Sequence, residues 1–355
     1  MALQTPLTER IGIEHPVMCA GMGGIGPITL GRLAAAISNA GGLGTIAHPA
    51  LLLEDPGRTD VLEEQIEQTV EQVRAGIRTA VSLTGKPLAV NVRVAKEQPD
   101  APAVLRAILD ERERDAQVAR QLRVLTTSGG HPSMFGLNQE FRDAGMLHFH
   151  AVSNVKQALT AQAEGMDAVV ATGFEAAGHV GHEGVHTFVL VAAVAEAVNI
   201  PVLAAGGVVD GCSLAAALVL GAQAGYLGTR FLAAEECEYH DNMKAFLVAA
   251  KETETEVIPS FFGPARFLTN PASRHIRELG DADAPALERM QVEGDGLRKG
   301  ALEGDMERGL MIGGQGAGRV REVLQAAEIV RRIVAEAEEA LDRVSGFRTP
   351  AATRA

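Results

Sequence analysis

Short apolar runs alternate with stretches of helical periodicity from near the N-terminus to about residue 250. The runs have the length and composition of buried strands, and turn residues follow most of them. Between the second and third runs, Val61, Val70 and Ile77 belong to an apolar series at helical spacing. The pattern predicts eight strands, at Pro16–Ala20, Gly42–Ile46, Leu88–Val94, Leu122–Thr127, Met146–Ala151, Ala168–Thr172, Pro201–Ala205 and Ala224–Leu227.

Eight strand–helix units over residues 16–250 predict an α/β fold, a (β/α)8 TIM barrel. The alternative is a doubly wound open sheet, which places its phosphate-binding turn after the first strand. Here the glycine-rich turns follow the seventh and eighth strands, so the pattern favours the barrel.

The character of the chain changes after Ala250, so we predict three parts. Residues 1–250 form the barrel, 251–318 an irregular extension covering it, and 319–355 a C-terminal amphipathic helix and tail. The helix has an apolar stripe of Val323, Ala327, Val330, Val334, Ala337 and Leu341. We favour docking of this stripe on the chain's own barrel, and a subunit contact in a homodimer is the alternative.

Composition narrows the class of protein. The formal net charge of −13 disfavours nucleic acid and anionic membranes as partners. No apolar run reaches membrane-spanning length, and the N-terminus does not have the pattern of a secretion signal. The three cysteines have no CxxC spacing, so we expect a reducing, cytoplasmic location.

Two consecutive strand ends carry glycine-rich turns. The seventh strand leads into Gly206 and Gly207, the eighth leads into Gly228 and Thr229, and a helix follows each turn. Glycine lets backbone N–H groups approach a phosphate closely, and a helix N-terminus adds its positive end. The turns predict a phosphate site, although they also suit tight strand-to-helix connections alone.

His179 follows Gly178 beyond the sixth strand, on the same rim of the predicted barrel. Imidazole is suited to moving a proton near neutral pH, and catalytic groups of barrels lie at the carboxyl ends of the strands. His182 and His186 follow it, but no carboxylate or thiolate pattern completes a ligand set. The sequence therefore predicts a proton-transfer group beside a bound phosphate and no metal.

Other polar and glycine positions carry weaker signals. Asn91 interrupts an apolar strand, so its amide is expected to reach the mouth of the barrel. Asp210 is expected to cap a helix, and Arg230 either helps to bind phosphate or pairs with a nearby acid. Residues 313–318 superficially match a dinucleotide fingerprint but follow no clear strand, so we predict a flexible turn near the mouth.

Motifs across residues 10–232 resemble the nitronate monooxygenase family, formerly called 2-nitropropane dioxygenases, which are FMN-dependent TIM-barrel oxidoreductases. Weaker similarities lie at 263–266 and 304–318. The most specific pieces are Glu175-Ala-Ala-Gly-His179, Ala204-Ala-Gly-Gly-Val-Val-Asp-Gly211 and Gly228-Thr-Arg-Phe231.

The resemblance implies FMN as the cofactor and His179 as the catalytic base or a hydrogen-bond donor to the substrate. It also implies oxidation of alkyl nitronates by O2 to carbonyl compounds and nitrite. Many relatives have glutamine at the position of Thr172 and a glycine pair at Ala177–Gly178, so substrate preference is expected to differ. The implied cofactor-binding residues are Gly21, Met22, Asn91, Thr172, Ala177, Gly178, Gly206, Gly207, Gly228 and Thr229.

Three alternatives stay open from the sequence. FMN-dependent NAD(P)H reductases of the same superfamily, namely enoyl-acyl carrier protein reductases and NADH:quinone reductases, share the motifs. A barrel with these phosphate turns can also bind a sugar phosphate without flavin, as an isomerase or aldolase does. The third alternative is a flavin-binding protein without catalysis.

Overall fold

A computed structural model describes residues 3–49, 59–95, 98–260 and 263–347. Eight parallel strands follow one another around a barrel, and β1 also exchanges backbone hydrogen bonds with residues just before β2, which closes the ring. The (β/α)8 prediction is confirmed. In chain order the barrel strands are β1 (Val17–Cys19), β2 (Gly44–Ala47), β3 (Leu88–Arg93), β4 (Leu122–Ser128), β5 (Leu147–Val152), β6 (Ala168–Thr172), β8 (Val202–Ala205) and β9 (Ala224–Leu227). The short strand β7 (Gly178–His179) lies outside the barrel.

Helices surround the barrel and connect its strands. Side-chain caps fix several of their starts: Asn154 caps α7, and Asp210 caps α9 through a bond with the Ser213 amide, as predicted for Asp210. The helices of this part are α1 (Pro6–Ile11), α2 (Gly31–Asn39), α3 (Thr59–Leu83), α4 (Ala101–Arg114), α5 (Ala116–Gln121), α6 (Asn138–Asp143), α7 (Val155–Ala163), α8 (Thr187–Ala197), α9 (Gly211–Val219), α10 (Thr229–Leu232) and α11 (Asp241–Ala249).

The barrel interior is a packed core rather than a channel. Met18, Phe149 and Leu203 are fully buried inside it, in one cluster with Leu7 and Ile11 of α1. Because α1 is also hydrogen-bonded to the residue just before β9, it covers the amino ends of the strands. Only the carboxyl ends are therefore left for a site.

The expectation of an irregular extension is wrong. Residues 255–312 contain an antiparallel sheet of β10 (Thr255–Ser260), β11 (Gly263–Leu268) and β12 (Met311–Ile312), with helices α12 (Pro271–Asp281) and α13 (Ala286–Arg298). Strand β11 also pairs with β7, which belongs to the barrel part. The sequence did not predict these strands and helices, because each exposes one face to solvent and its apolar residues are therefore interspersed with polar ones. The division of the chain into three parts stays a prediction.

The C-terminal helix α14 (Ala326–Ser345) packs against α9 and α2, so it docks on its own barrel as favoured from the sequence. Its buried stripe includes Val330, Val334 and Ala337 as predicted, but Val323 and Ala327 are exposed. Among the described residues, no helix is both long and apolar enough to cross a membrane.

Candidate active site

A cavity of ≈ 870 Å³ opens at the carboxyl ends of the barrel strands. Its size is that of a cofactor or ligand site. The structure brings His179 and all ten cofactor-binding residues implied by the resemblance to this one cavity. They are Gly21, Met22, Asn91, Thr172, Ala177, Gly178, His179, Gly206, Gly207, Gly228 and Thr229.

The turn after β8 has a conformation that glycine allows and other residues rarely adopt. Gly206 and Gly207 have φ values of 88° and 73°. A Cβ atom on Gly206 would lie 2.8 Å from the Gly173 carbonyl oxygen, whereas one on Gly207 would have no neighbour closer than 3.6 Å. The backbone of Gly207 is therefore accessible from the cavity, as a phosphate cradle requires.

The second predicted phosphate turn is braced by the segment 313–318. Thr229 Oγ1 accepts a hydrogen bond of 3.0 Å from the Gly314 amide, and the Gln315 amide donates to the Glu175 carbonyl at 3.0 Å. The segment therefore lies against Thr229 and against the loop that leads to His179, and its last part is a 3-10 helix. Arg230 does not line the cavity: its Nη2 donates to the carbonyl of Glu322 at 2.8 Å.

On the other side of the cavity, Gly21 and Asn91 lie in direct contact. A Cβ atom on Gly21 would come within 2.1 Å of the Asn91 side chain, so only glycine fits there. The Asn91 amide donates to the Thr126 carbonyl at 3.2 Å, and Tyr226 Oη accepts from the Gly21 amide at 2.9 Å. The sequence did not identify Tyr226 and Thr126 as site residues, because their only recognisable feature was a position within a predicted strand.

His179 is held by elements that are distant in sequence. Its strand β7 pairs with β11 of the extension, and its Nε2 lies 3.4 Å from Oγ of Ser260. That hydroxyl donates to Oε1 of the buried Glu293 at 2.7 Å. The ring faces the open cavity. Desolvation by the groups around it and, to a smaller extent, the positive charge of Arg93 lower the pKa of His179 below its ordinary value, which favours the neutral ring near pH 7.

The turn that leads to His179 is anchored by a buried guanidinium. Arg266 on β11 donates from Nε and Nη2 to the Phe174 carbonyl, at 3.1 and 2.9 Å, and from Nη1 to Thr255 at 2.8 Å. Glu175 accepts from the amide and the hydroxyl of Thr187, at 3.0 and 2.8 Å. These contacts fix the backbone on both sides of the loop and so direct His179 into the cavity.

His182 and His186 belong to this loop as well. Nδ1 of His186 lies 3.3 Å from the Glu175 carboxylate, and its ring packs edge-on against Phe174. Within residues 3–49, 59–95, 98–260 and 263–347, no group of three or more potential metal-ligating side chains comes together.

A model of the family described as nitronate monooxygenase matches residues 4–336. The chain is 29% identical, over 98% of its length and 99% of the relative's, to a (3aS,4S,5R,7aS)-5-hydroxy-7a-methyl-1-oxo-octahydro-1H-indene-4-carboxyl-CoA dehydrogenase of Rhodococcus jostii. The structure of FabK from Thermotoga maritima matches with a TM-score of 0.83 at 33% identity, over 97% of this chain and 99% of that one. A nitroalkane oxidase from Streptomyces ansochromogenes matches with a TM-score of 0.77 at 28% identity, over 96% and 100%. The chain therefore belongs to the nitronate monooxygenase family of flavin-dependent oxidoreductases.

Proposed function

We propose that the chain binds FMN and oxidises alkyl nitronates with O2. The residues present fit the cofactor. Gly207 offers open backbone, Gly228 and Thr229 line the same cavity, and this cavity extends to Gly21 and Asn91. Bound FMN would accept the electrons from the substrate and pass them to O2.

The observation that carries the proposal is the imidazole of His179, which faces the same cavity as the two glycine-rich turns. A neutral His179 can take the α-proton of a nitroalkane, whose nitro group makes that C–H acidic. The Ser260 hydroxyl restricts the ring's orientation from behind. Arg93 lines the same cavity, and its positive charge favours the binding of the anionic nitronate.

Spectroscopy and kinetics test this proposal. The purified protein should show flavin absorbance, and propionate-3-nitronate should reduce the flavin anaerobically, followed by nitrite release in air. His179→Asn should slow the oxidation of a neutral nitroalkane far more than that of its nitronate, because only the former must lose a proton. Equal losses on both substrates would contradict the base role, and a protein without flavin would contradict the whole proposal.

A second candidate is FMN-dependent redox chemistry on an acyl thioester with NAD(P)H or NAD(P)⁺. The match of the full chain to a carboxyl-CoA dehydrogenase favours it. Neutral His179 is equally suited to the acidic carbon beside a thioester carbonyl. Rapid anaerobic flavin reduction by NADH, or by a saturated acyl-CoA, with none by the nitronate, would favour this candidate.

A further inference from the structure

A second imidazole lines the cavity, and the proposed chemistry does not use it. His48 follows β2, and its Nε2 lies 2.8 Å from Oδ2 of Asp100. The His48 side chain is 2% exposed and that of Asp100 0%. Gln98, which also lines the cavity, donates to the other carboxylate oxygen of Asp100 at 3.2 Å. The structure thus contains a buried His–Asp pair at the cavity wall.

The pairing determines which ring nitrogen a ligand can use. Because a carboxylate only accepts hydrogen bonds, Nε2 of His48 carries its hydrogen, and Nδ1 is the nitrogen left for a molecule in the cavity. No described residue forms a hydrogen bond to Nδ1. In a neutral ring with this tautomer, Nδ1 is an acceptor.

His48 lies on the side of the barrel that we assign to the flavin ring, away from His179. Strand β2 lies between β1 and β3 in the closed barrel, directly opposite β6, which precedes His179. The His48 amide donates to the Asn91 carbonyl at 3.2 Å, and the His48 carbonyl accepts from the Gly24 amide at 3.1 Å. Gly21 and Asn91, which lie in contact, are the residues proposed to line the flavin ring, so a ring bound beside them would lie next to His48.

We propose that Nδ1 of His48 accepts a hydrogen bond from the N3–H group of the flavin ring, and that Asp100 fixes the tautomer that makes this possible. N3–H is the only N–H at the edge of an oxidised flavin, so it is the group that an acceptor on the wall would recognise. The inference rests on the proposed function, because it requires FMN in the cavity.

The test pairs two substitutions with two cofactors. In His48→Gln the side-chain NH2 group can still donate to Asp100 from the position of Nε2, whereas no acceptor remains at the position of Nδ1, because the amide oxygen then lies on the other side of the side chain. His275→Gln, on the exposed face of α12, is the matched control. Dissociation constants of FMN and of N3-methyl-FMN, which lacks the N–H, are measured by quenching of flavin fluorescence. Asp100→Asn serves as a second probe if His48→Gln does not fold.

We expect His48→Gln to raise the Kd of FMN about five- to tenfold, the effect of one hydrogen bond, and His275→Gln to leave it unchanged. N3-methyl-FMN should bind the wild type more weakly, with little further loss in His48→Gln, because both changes remove the same bond. Asp100→Asn should raise the Kd by a smaller factor. An unchanged Kd in His48→Gln, or fully additive losses, would show that the pair only stabilises the fold. Failure of the wild type to bind FMN would instead refute the proposed function.

Discussion

The clearest quantitative prediction concerns Gly207→Ala. At Gly207 the backbone has a φ of 73°, and a Cβ atom would meet no atom closer than 3.6 Å, so the substitution causes no clash within the protein. The left-handed conformation itself costs a residue with a Cβ atom roughly 1–2 kcal/mol. The apoprotein should therefore fold, with its free energy of unfolding reduced by about that amount.

The new methyl group would, however, project into the space where we place the phosphate. Losing one hydrogen bond to a charged group costs about 1.5–3 kcal/mol, which corresponds to an increase in Kd of about ten- to hundredfold. We expect FMN affinity to fall by this factor, measured by fluorescence titration of the apoprotein.

Gly145→Ala provides the matched control. Gly145 has the same φ of 73° and no atom within 4 Å of its added Cβ, and it precedes β5 at the opposite end of the barrel from the cavity. Urea unfolding should show the same loss of stability in both variants, and only Gly207→Ala should lose FMN affinity. Wild-type FMN affinity in Gly207→Ala would refute the assignment of the phosphate to this turn.

Three further predictions concern single polar side chains. Arg266→Met should lower the free energy of unfolding by about 1–3 kcal/mol, seen in urea titration, because the half-buried Phe174 carbonyl loses its donors; an unchanged stability would contradict the anchoring role. The lowered pKa of His179 keeps the base neutral in mild acid, so the rate with a neutral nitroalkane should not fall from pH 8 to pH 6, and a loss of rate centred near pH 6.5 would contradict this. Burial also lowers the pKa of His148, to about 3, so only the unfolded chain takes up that proton readily. Stability should therefore fall as the pH drops below 6.5, by up to about 1.4 kcal/mol per pH unit for this group. A smaller slope is expected in His148→Gln, whereas an equal slope would assign the effect to other groups.

The local sequence pattern was sufficient to predict much of this structure. All eight barrel strands were predicted within two residues at each end, because buried parallel strands are short apolar runs bounded by turns. The residues at their carboxyl ends were also predictable, since a barrel brings these ends to one rim. Gly206, Gly207 and His179 therefore line one cavity, as their places in the sequence indicated.

Only the tertiary structure decided how the site is supported. His48 and Asp100 lie 52 positions apart, and Ser260 lies 81 positions from His179. Such pairs leave no periodic signal, since their proximity comes from strand order and from the pairing of β7 with β11. The sequence alone thus determined the barrel and the rim where chemistry occurs. The partners that orient each imidazole came from packing between distant segments, which no local pattern records.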